Sequence, residues 1–362
     1  MRTPHGGIQP QAAVDAVGAV HVVSFQGSDA GAGDILYTHS EPGAPTGPFS
    51  TPLRVNTQTG SAVAKGTMRG AQLALGAGGR VHVVWNGSMK ATPPNPHGGS
   101  PLFYTRLDPS TGRFEPDRNL MGATLWLDGG ATVAADGQGH VFVAWHAKPL
   151  GAPDGEANRR LYVARSDDDG ATFARESAVV ETPTGACPCC GTRAIATTDG
   201  ALHILYRAAF AGNERDMMLV SSRDRGVRFE AQRIHPWKLN MCPMSSASLV
   251  ATPDRDVAAA WETQGQVYLA RIDQAGKTTT PLHPRGVGGN RKHPALACNR
   301  DGEVLLAWAE DTSFTKGGAL AWRLFDRKGK PTEVSGRLDG GIPLYGLPTA
   351  VALPDGRFLI LH

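Results

Sequence analysis

The chain has 362 residues, 41% of them hydrophobic, and a formal charge of +3 spread without a basic run. These values allow a substantial core and exclude nucleic acid as an expected partner. No stretch approaches the length of an apolar membrane span, and 45 glycines with 26 prolines favour many short strands over long helices.

The N-terminus, Met1-Arg2-Thr3-Pro4-His5, leads almost at once into a strand-like segment with no apolar leader. Two readings stay open there: a cytoplasmic protein, or a mature domain without its leader. From this point a hairpin turn followed six residues later by an aromatic recurs along the chain. Gly18 precedes Ser24 and Phe25, Gly79 leads to Trp85, Gly139 to Trp145 and Gly200 to Tyr206. Trp261 holds the same place in the fifth repeat, Gly302 leads to Trp308, and the last run goes from Gly356 to His362. Self-similarity at such a period means an array of one supersecondary unit, here expected as a single domain over 1–362.

The third repeat shows the unit. Gly130 to Ala135 is a small-residue strand, Asp136-Gly137-Gln138-Gly139 a turn, and His140 to Trp145 a β-rich run ending on the aromatic. Leu161 to Ser166 supplies a third strand and Glu176 to Val180 a weaker fourth. The third strand recurs as Ile35 to Thr38, Leu102 to Thr105, Met217 to Val220, Val267 to Ala270 and Ala319 to Trp322. Glycine hairpins between alternating apolar runs signal paired strands. Four-stranded repeats are the blades of a β-propeller, so the expected fold is all-β and of that type. Six repeats are complete and a seventh stops after its second strand, at His362. Seven blades is the expectation and six the alternative, because a half blade would expose a long edge.

Ser166-Asp167-Asp168-Asp169-Gly170-Ala171-Thr172-Phe173 matches the Asp-box, S-x-D-x-G-x-T-[WF], at every defined position. A second copy, Ser222 to Phe229, has Arg228 in place of the threonine, and degenerate versions occur at Asp108 to Phe114, Asp273 to Gly276 and Asp326 to Gly329. The chain therefore resembles the sialidase-like BNR/Asp-box propellers over nearly all its length. The box itself is structural: an aspartate accepts backbone N–H bonds across a tight turn, glycine takes the positive φ, and the aromatic packs beneath. The resemblance implies export, hence a periplasmic or secreted home. The order Cys189-Cys190, Leu205-Tyr206-Arg207, Arg215-Asp216, Asp-box, Trp237 and Cys242-Pro243 further resembles bacterial members without an assigned activity.

Sialidases clamp a carboxylate with three arginines and use a glutamate-activated tyrosine nucleophile and an aspartic acid. Carried over, the resemblance implies Arg69, Arg193 and Arg291 as the clamp, Tyr345 as nucleophile and Asp128 as acid, making the protein glycan-active or glycan-binding. The chain departs from the pattern in three ways. An N-terminal arginine-isoleucine-proline signature is absent, Glu262 and Glu310 fall at the far ends of second strands, and cysteines open the fourth and fifth repeats. The plain alternative for each arginine is a solvated or ion-paired rim residue.

Those cysteines suggest different chemistry. Cys187, Cys189, Cys190 and Cys242 should open the innermost strands of adjacent blades on one axial face, with Met244 and His293 near. Soft thiolate and thioether ligands gathered so favour copper, with zinc as second choice, bound by a monomer for metal handling or redox chemistry. The competing reading is a disulfide from Cys242 to Cys189 or Cys190, stapling two blades of a non-catalytic protein-binding scaffold. Cys298, mid-strand, reads as a buried hydrophobe. His21, His82, His140 and His203 recur on second strands and read as packing residues, while His5 and His97 sit in Pro-His-Gly-Gly turns.

Overall fold

The computed structural model describes residues 1–27, 32–66, 68–180, 184–211, 213–285, 289–313 and 315–362. Regular structure among them is almost all strand, the helical part being three short 3-10 turns, Pro4–Gly6, Ala77–Gly79 and Glu156–Asn158. The strand pattern follows from the repeat. In the third blade Thr132–Ala135 lies antiparallel to Val141–Pro149, which pairs in turn with Arg160–Ser166. The first of these can lie against its neighbours because its side chains are small, and the second is anchored by Trp145, which is fully buried. Trp85, Tyr206, Trp261 and Trp308 are buried likewise at the equivalent positions, so the recurring aromatic is the core of each blade.

Among the described residues the strands form seven sheets, six of three to five strands and one of two. The architecture is an all-β, six-bladed propeller. The seven-blade expectation is corrected to the six-blade alternative, because the last repeat contributes only the hairpin Thr349–Ala352 and Phe358–Leu361. Its edge is not left open. Thr3 N–H donates to His362 O at 2.8 Å, His362 N–H to Met1 O at 3.1 Å, and the N-terminal ammonium to Ile360 O at 2.8 Å. Residues 1–3 thus satisfy the backbone groups that an unpaired edge would expose.

By contacts the chain divides into two compact units, one of Met1–Ser24, Thr38–Thr51 and Ser245–His362, the other of Phe25–Tyr37 and Pro52–Met244. In the first, Ala247–Ala251, Arg291–Cys298, Thr349–Ala352 and Ile8–Val14 lie in succession as neighbouring inner strands. In the second, Gln72–Leu75, Thr132–Ala135 and Arg193–Ala196 do the same. There the backbones ahead of the strands touch directly: Gly130 N–H donates to Met68 O at 2.6 Å and Thr192 N–H to Gly130 O at 2.9 Å. A Cβ on Gly130 would collide with Met68 O, and one on Gly129 with Cys190 O.

The Asp-box fastens blades as well as closing its own hairpin. Asp168 accepts the Thr172 N–H at 2.8 Å and hydroxyl at 2.6 Å, and these bonds draw its carboxyl down to about 2. Gly170, at φ +76°, donates to Ser166 Oγ at 2.9 Å, and Phe173 packs edge-on to Tyr104 of the second blade. Asp169 pairs with Arg80 at 2.6 Å and His82 at 3.2 Å, while Arg106 and Arg118 donate to the backbone carbonyls of Asp169, Gly170 and Ala171. In the second box Asp224 accepts the Arg228 N–H at 2.9 Å and Nε–H at 2.8 Å, so arginine replaces threonine without loss of the turn.

Gly170 and Gly137 separate backbone strain from collision. Both have positive φ, but a Cβ at Gly137 meets open space and one at Gly170 meets the Tyr104 hydroxyl. Gly137→Ala should cost about 1 kcal/mol and Gly170→Ala more than about 3 kcal/mol in denaturant unfolding. Equal losses would show that the box does not press on the second blade.

Candidate functional site

The loop Ala186–Cys190 precedes the inner strand of the fourth blade and is held from three sides. Cys187 N–H donates to Arg207 O at 2.8 Å, and Cys190 N–H to Cys187 O at 3.3 Å, closing a turn over Pro188. Cys189 O accepts from Met68 N–H at 3.3 Å, and Cys190 O from His146 Nε2 at 3.0 Å. With its backbone so held, the loop gathers its three sulfurs: all lie within 4.8 Å of one another and all are buried. Cys190 Sγ donates to Cys187 Sγ at 2.8 Å, and Cys187 Sγ is 3.6 Å from Cys189 Sγ. Cys189 is disulfide-bonded to Cys242 across a sequence separation of 53 residues, with Cα atoms 6.5 Å apart, and Cys242 is exposed.

Positive charge surrounds the cluster. Arg207 and Arg215 act on Cys187, and so does Arg159; all three side chains are buried. Arg207 donates to Arg215 O at 2.6 Å and stacks 4.8 Å over Trp237, while Arg215 pairs with Glu156 at 2.5 Å. The hydrogen bond from Cys190, and then burial, push the Cys187 thiol well above its ordinary range, and the two arginines oppose that rise. The net effect holds Cys187 as the neutral thiol, with guanidinium charge beside it.

Met244 closes the same unit, buried and at φ +46°. His293 belongs to the other unit, where its Nδ1 is 3.3 Å from Ser246 Oγ and burial holds its pKa well below the usual value. Arg291, also of that unit, lies 3.0 Å from Glu310 in a buried ion pair, donates to Pro284 O at 2.7 Å and stacks on Trp308. Tyr345 is there too, half-buried at φ +60°. Arg193 opens the inner strand of the fourth blade, with its pKa drawn down to about 10 by burial.

Two residues of the arginine and acid set do come together. Arg69 and Asp128 are 3.8 Å apart on a cavity of about 1000 Å³ that is also lined by Lys90, Trp126 and Arg159. Trp126 is 40% exposed and sits at φ +62°, unusual for a bulky residue. Its carbonyl accepts from Arg159 at 2.6 Å, and Lys148, fixed by Asp154 at 2.6 Å, lies 4.2 Å from its ring. Sequence reasoning missed Trp126, Arg159 and the charges of Arg207 and Arg215. The adjacent Trp126-Leu127-Asp128 was the one local signal for the first.

The recurrent histidines each have a ring partner: His21 with Asp15, His82 with Tyr104, His140 with Asp136 and His203 with Ser221. His5 and His97 bond backbone carbonyls of turns. Cys298 is half-buried, and its thiol is raised to about 11 by that burial.

No family model and no curated protein matches the chain. Its structure is similar to the Hadza microbial sialidase Hz136 (TM-score 0.54, 15% identity, 90% of this chain and 70% of that one). It is similar also to the Trypanosoma rangeli sialidase (0.55, 14%, 86% and 54%) and to a fungal alcohol oxidase of the AA5 family in complex with copper (0.57, 14%, 99% and 70%). At these identities the likeness establishes the fold alone, a sialidase-like propeller.

Burial draws His82, His146 and His203 from 6.5 down to about 4. The unfolded chain therefore binds more protons between those values, so stability is full above pH 6.5 and falls as pH drops through the window. The expected slope is about 1.4 kcal/mol per pH unit for each histidine, and His146→Gln should remove about a third of it. Denaturant unfolding at about pH 7 and about pH 5 checks this, and a flat profile would contradict it.

Proposed function

We propose that Cys187, Cys189 and Cys190 form a binding site for a soft metal ion, copper(I) before zinc(II), in an exported, monomeric propeller. The observation that carries this is the convergence of three buried sulfurs within 4.8 Å on one rigid loop. Thiolates suit copper(I), which accepts low coordination, whereas zinc(II) prefers four ligands and would need Cys242 as well. The positive charges of Arg159, Arg207 and Arg215 offset the negative charge that several thiolates around one ion would bring. Loading requires reduction of the Cys189–Cys242 bond, so the site is metal-binding only in its thiol form. Met244 is a candidate thioether ligand, and His293 stays a proposal from the sequence alone. Metal handling or redox chemistry would follow from such a site.

Elemental analysis and copper(I) titration of reduced protein test this. About one equivalent should bind, and Cys190→Ser should lower affinity at least about 100-fold. Absence of metal from reduced, metal-replete protein would leave the cysteines as a staple in a protein-binding scaffold.

A second reading rests on the cavity of Arg69 and Asp128. Three cations against one carboxylate, beside an exposed indole, suit an acidic glycan. Arg193, Arg291 and Tyr345 stay proposals from the sequence. Hydrolysis of a fluorogenic sialoside, lost in Asp128→Asn and weakened in Arg69→Ala, is its expected result; no hydrolysis and no binding of free sialic acid would remove it.

A further inference from the structure

Cys187-Pro188-Cys189-Cys190 contains a C-x-x-C pair, Cys187 and Cys190, that interleaves with the disulfide cysteine. Their sulfurs are in direct contact. Cys187 in turn lies 3.6 Å from the Cys189 sulfur, which is bonded to Cys242. Exposure falls along the same path: Cys242 is exposed, Cys189 5% exposed, Cys187 and Cys190 1% each. Four sulfurs therefore form a file from the surface to the interior, with each neighbour in reach of the next. A staple needs two of them, and a staple does not require a dithiol pressed against its buried end.

We infer that this file is a thiol–disulfide exchange relay, in which one disulfide migrates between the surface pair Cys189–Cys242 and the buried pair Cys187–Cys190. In the first step Cys187 gives up its proton and its thiolate attacks Cys189 Sγ. The Cys187–Cys189 bond forms as Cys189–Cys242 breaks, and the electron pair leaves on Cys242, which takes a proton at the surface. In the second, Cys190 gives up its proton and its thiolate attacks Cys187 Sγ. The Cys187–Cys190 bond forms, Cys187–Cys189 breaks, and Cys189 leaves as the thiolate and is protonated. One disulfide and two thiols are present before and after, so no external oxidant is consumed. The consequence is an exposed Cys242 thiol in one form and none in the other. That thiol is the group through which a disulfide-bearing molecule, small or protein, would exchange with the interior pair. The relay does not depend on a bound metal.

The test uses the full chain purified without reductant and kept with a chelator at mildly alkaline pH. A maleimide is added to the native protein, and the modified cysteines and linked peptides are mapped by mass spectrometry. In the unsubstituted protein Cys242 should become modified with time while Cys187–Cys190 appears and the disulfide number stays constant. Cys190→Ser should still expose Cys242 but stop at Cys187–Cys189. Cys187→Ser keeps the surface disulfide, and with it the fold, and should slow Cys242 modification by roughly tenfold or more. Modification of Cys242 that is unchanged by Cys187→Ser, or that never occurs in the unsubstituted protein, overturns the relay.

Discussion

The position of the cysteine loop depends on how closely three backbones approach ahead of the inner strands of the second, third and fourth blades. Met68, Gly130 and Thr192 are joined there by direct backbone hydrogen bonds of 2.6 and 2.9 Å. That distance is possible because positions 129 and 130 carry no Cβ; a side chain at either would meet a carbonyl oxygen. The Cys187–Cys190 loop inherits its position from this contact, through Met68 N–H on Cys189 O and His146 on Cys190 O. Sulfur positions are therefore set by the backbone and not by flexible side chains, which is the condition for preorganised ligands or for exchange at fixed distances.

Electrostatics at the loop work in opposed directions. Burial and the Cys190 hydrogen bond favour the neutral Cys187 thiol, while Arg207 and Arg215 favour the thiolate. The guanidiniums are themselves held in place, Arg215 by Glu156 and Arg207 by the Arg215 carbonyl and the Trp237 face. Their charge lies where an anion at Cys187 would form. The proposed metal site and the proposed disulfide exchange would both draw on that anion and compete for the same sulfurs. The proposed metal site needs all three loop cysteines as thiols, whereas the proposed exchange needs one disulfide among the four.

The Asp-box has a parallel role in holding blades together. Its turn is closed by Asp168 and Ser166, yet the neighbouring Asp169 reaches Arg80 and His82 of the preceding blade. The hairpin is thus local in sequence and long-range in effect. Its hydrogen bonds say nothing about activity, and the distant sialidase and oxidase neighbours share the fold across different activities.

Much of the architecture was legible in the residues. The glycine turn and the aromatic six residues on are neighbours in the chain, so the hairpin and its buried anchor, such as Gly139 with Trp145, follow from local propensity and burial alone. The Asp-box is likewise complete within eight residues. Blade number was not legible in that way: the last repeat supplies only a two-stranded hairpin, and its edge is met by residues 1–3, a contact between opposite ends of the chain. The cysteine motifs marked a site, but which sulfur pairs with Cys242, and that Cys187 and Cys190 approach to 2.8 Å, depend on a loop fixed by Met68, His146 and Arg207. Composition and spacing determined the repeat and where the cysteines crowd. Only tertiary structure decided the sulfur distances, the burial gradient and the surrounding arginines, because each is set by residues remote in sequence that meet through backbone contact.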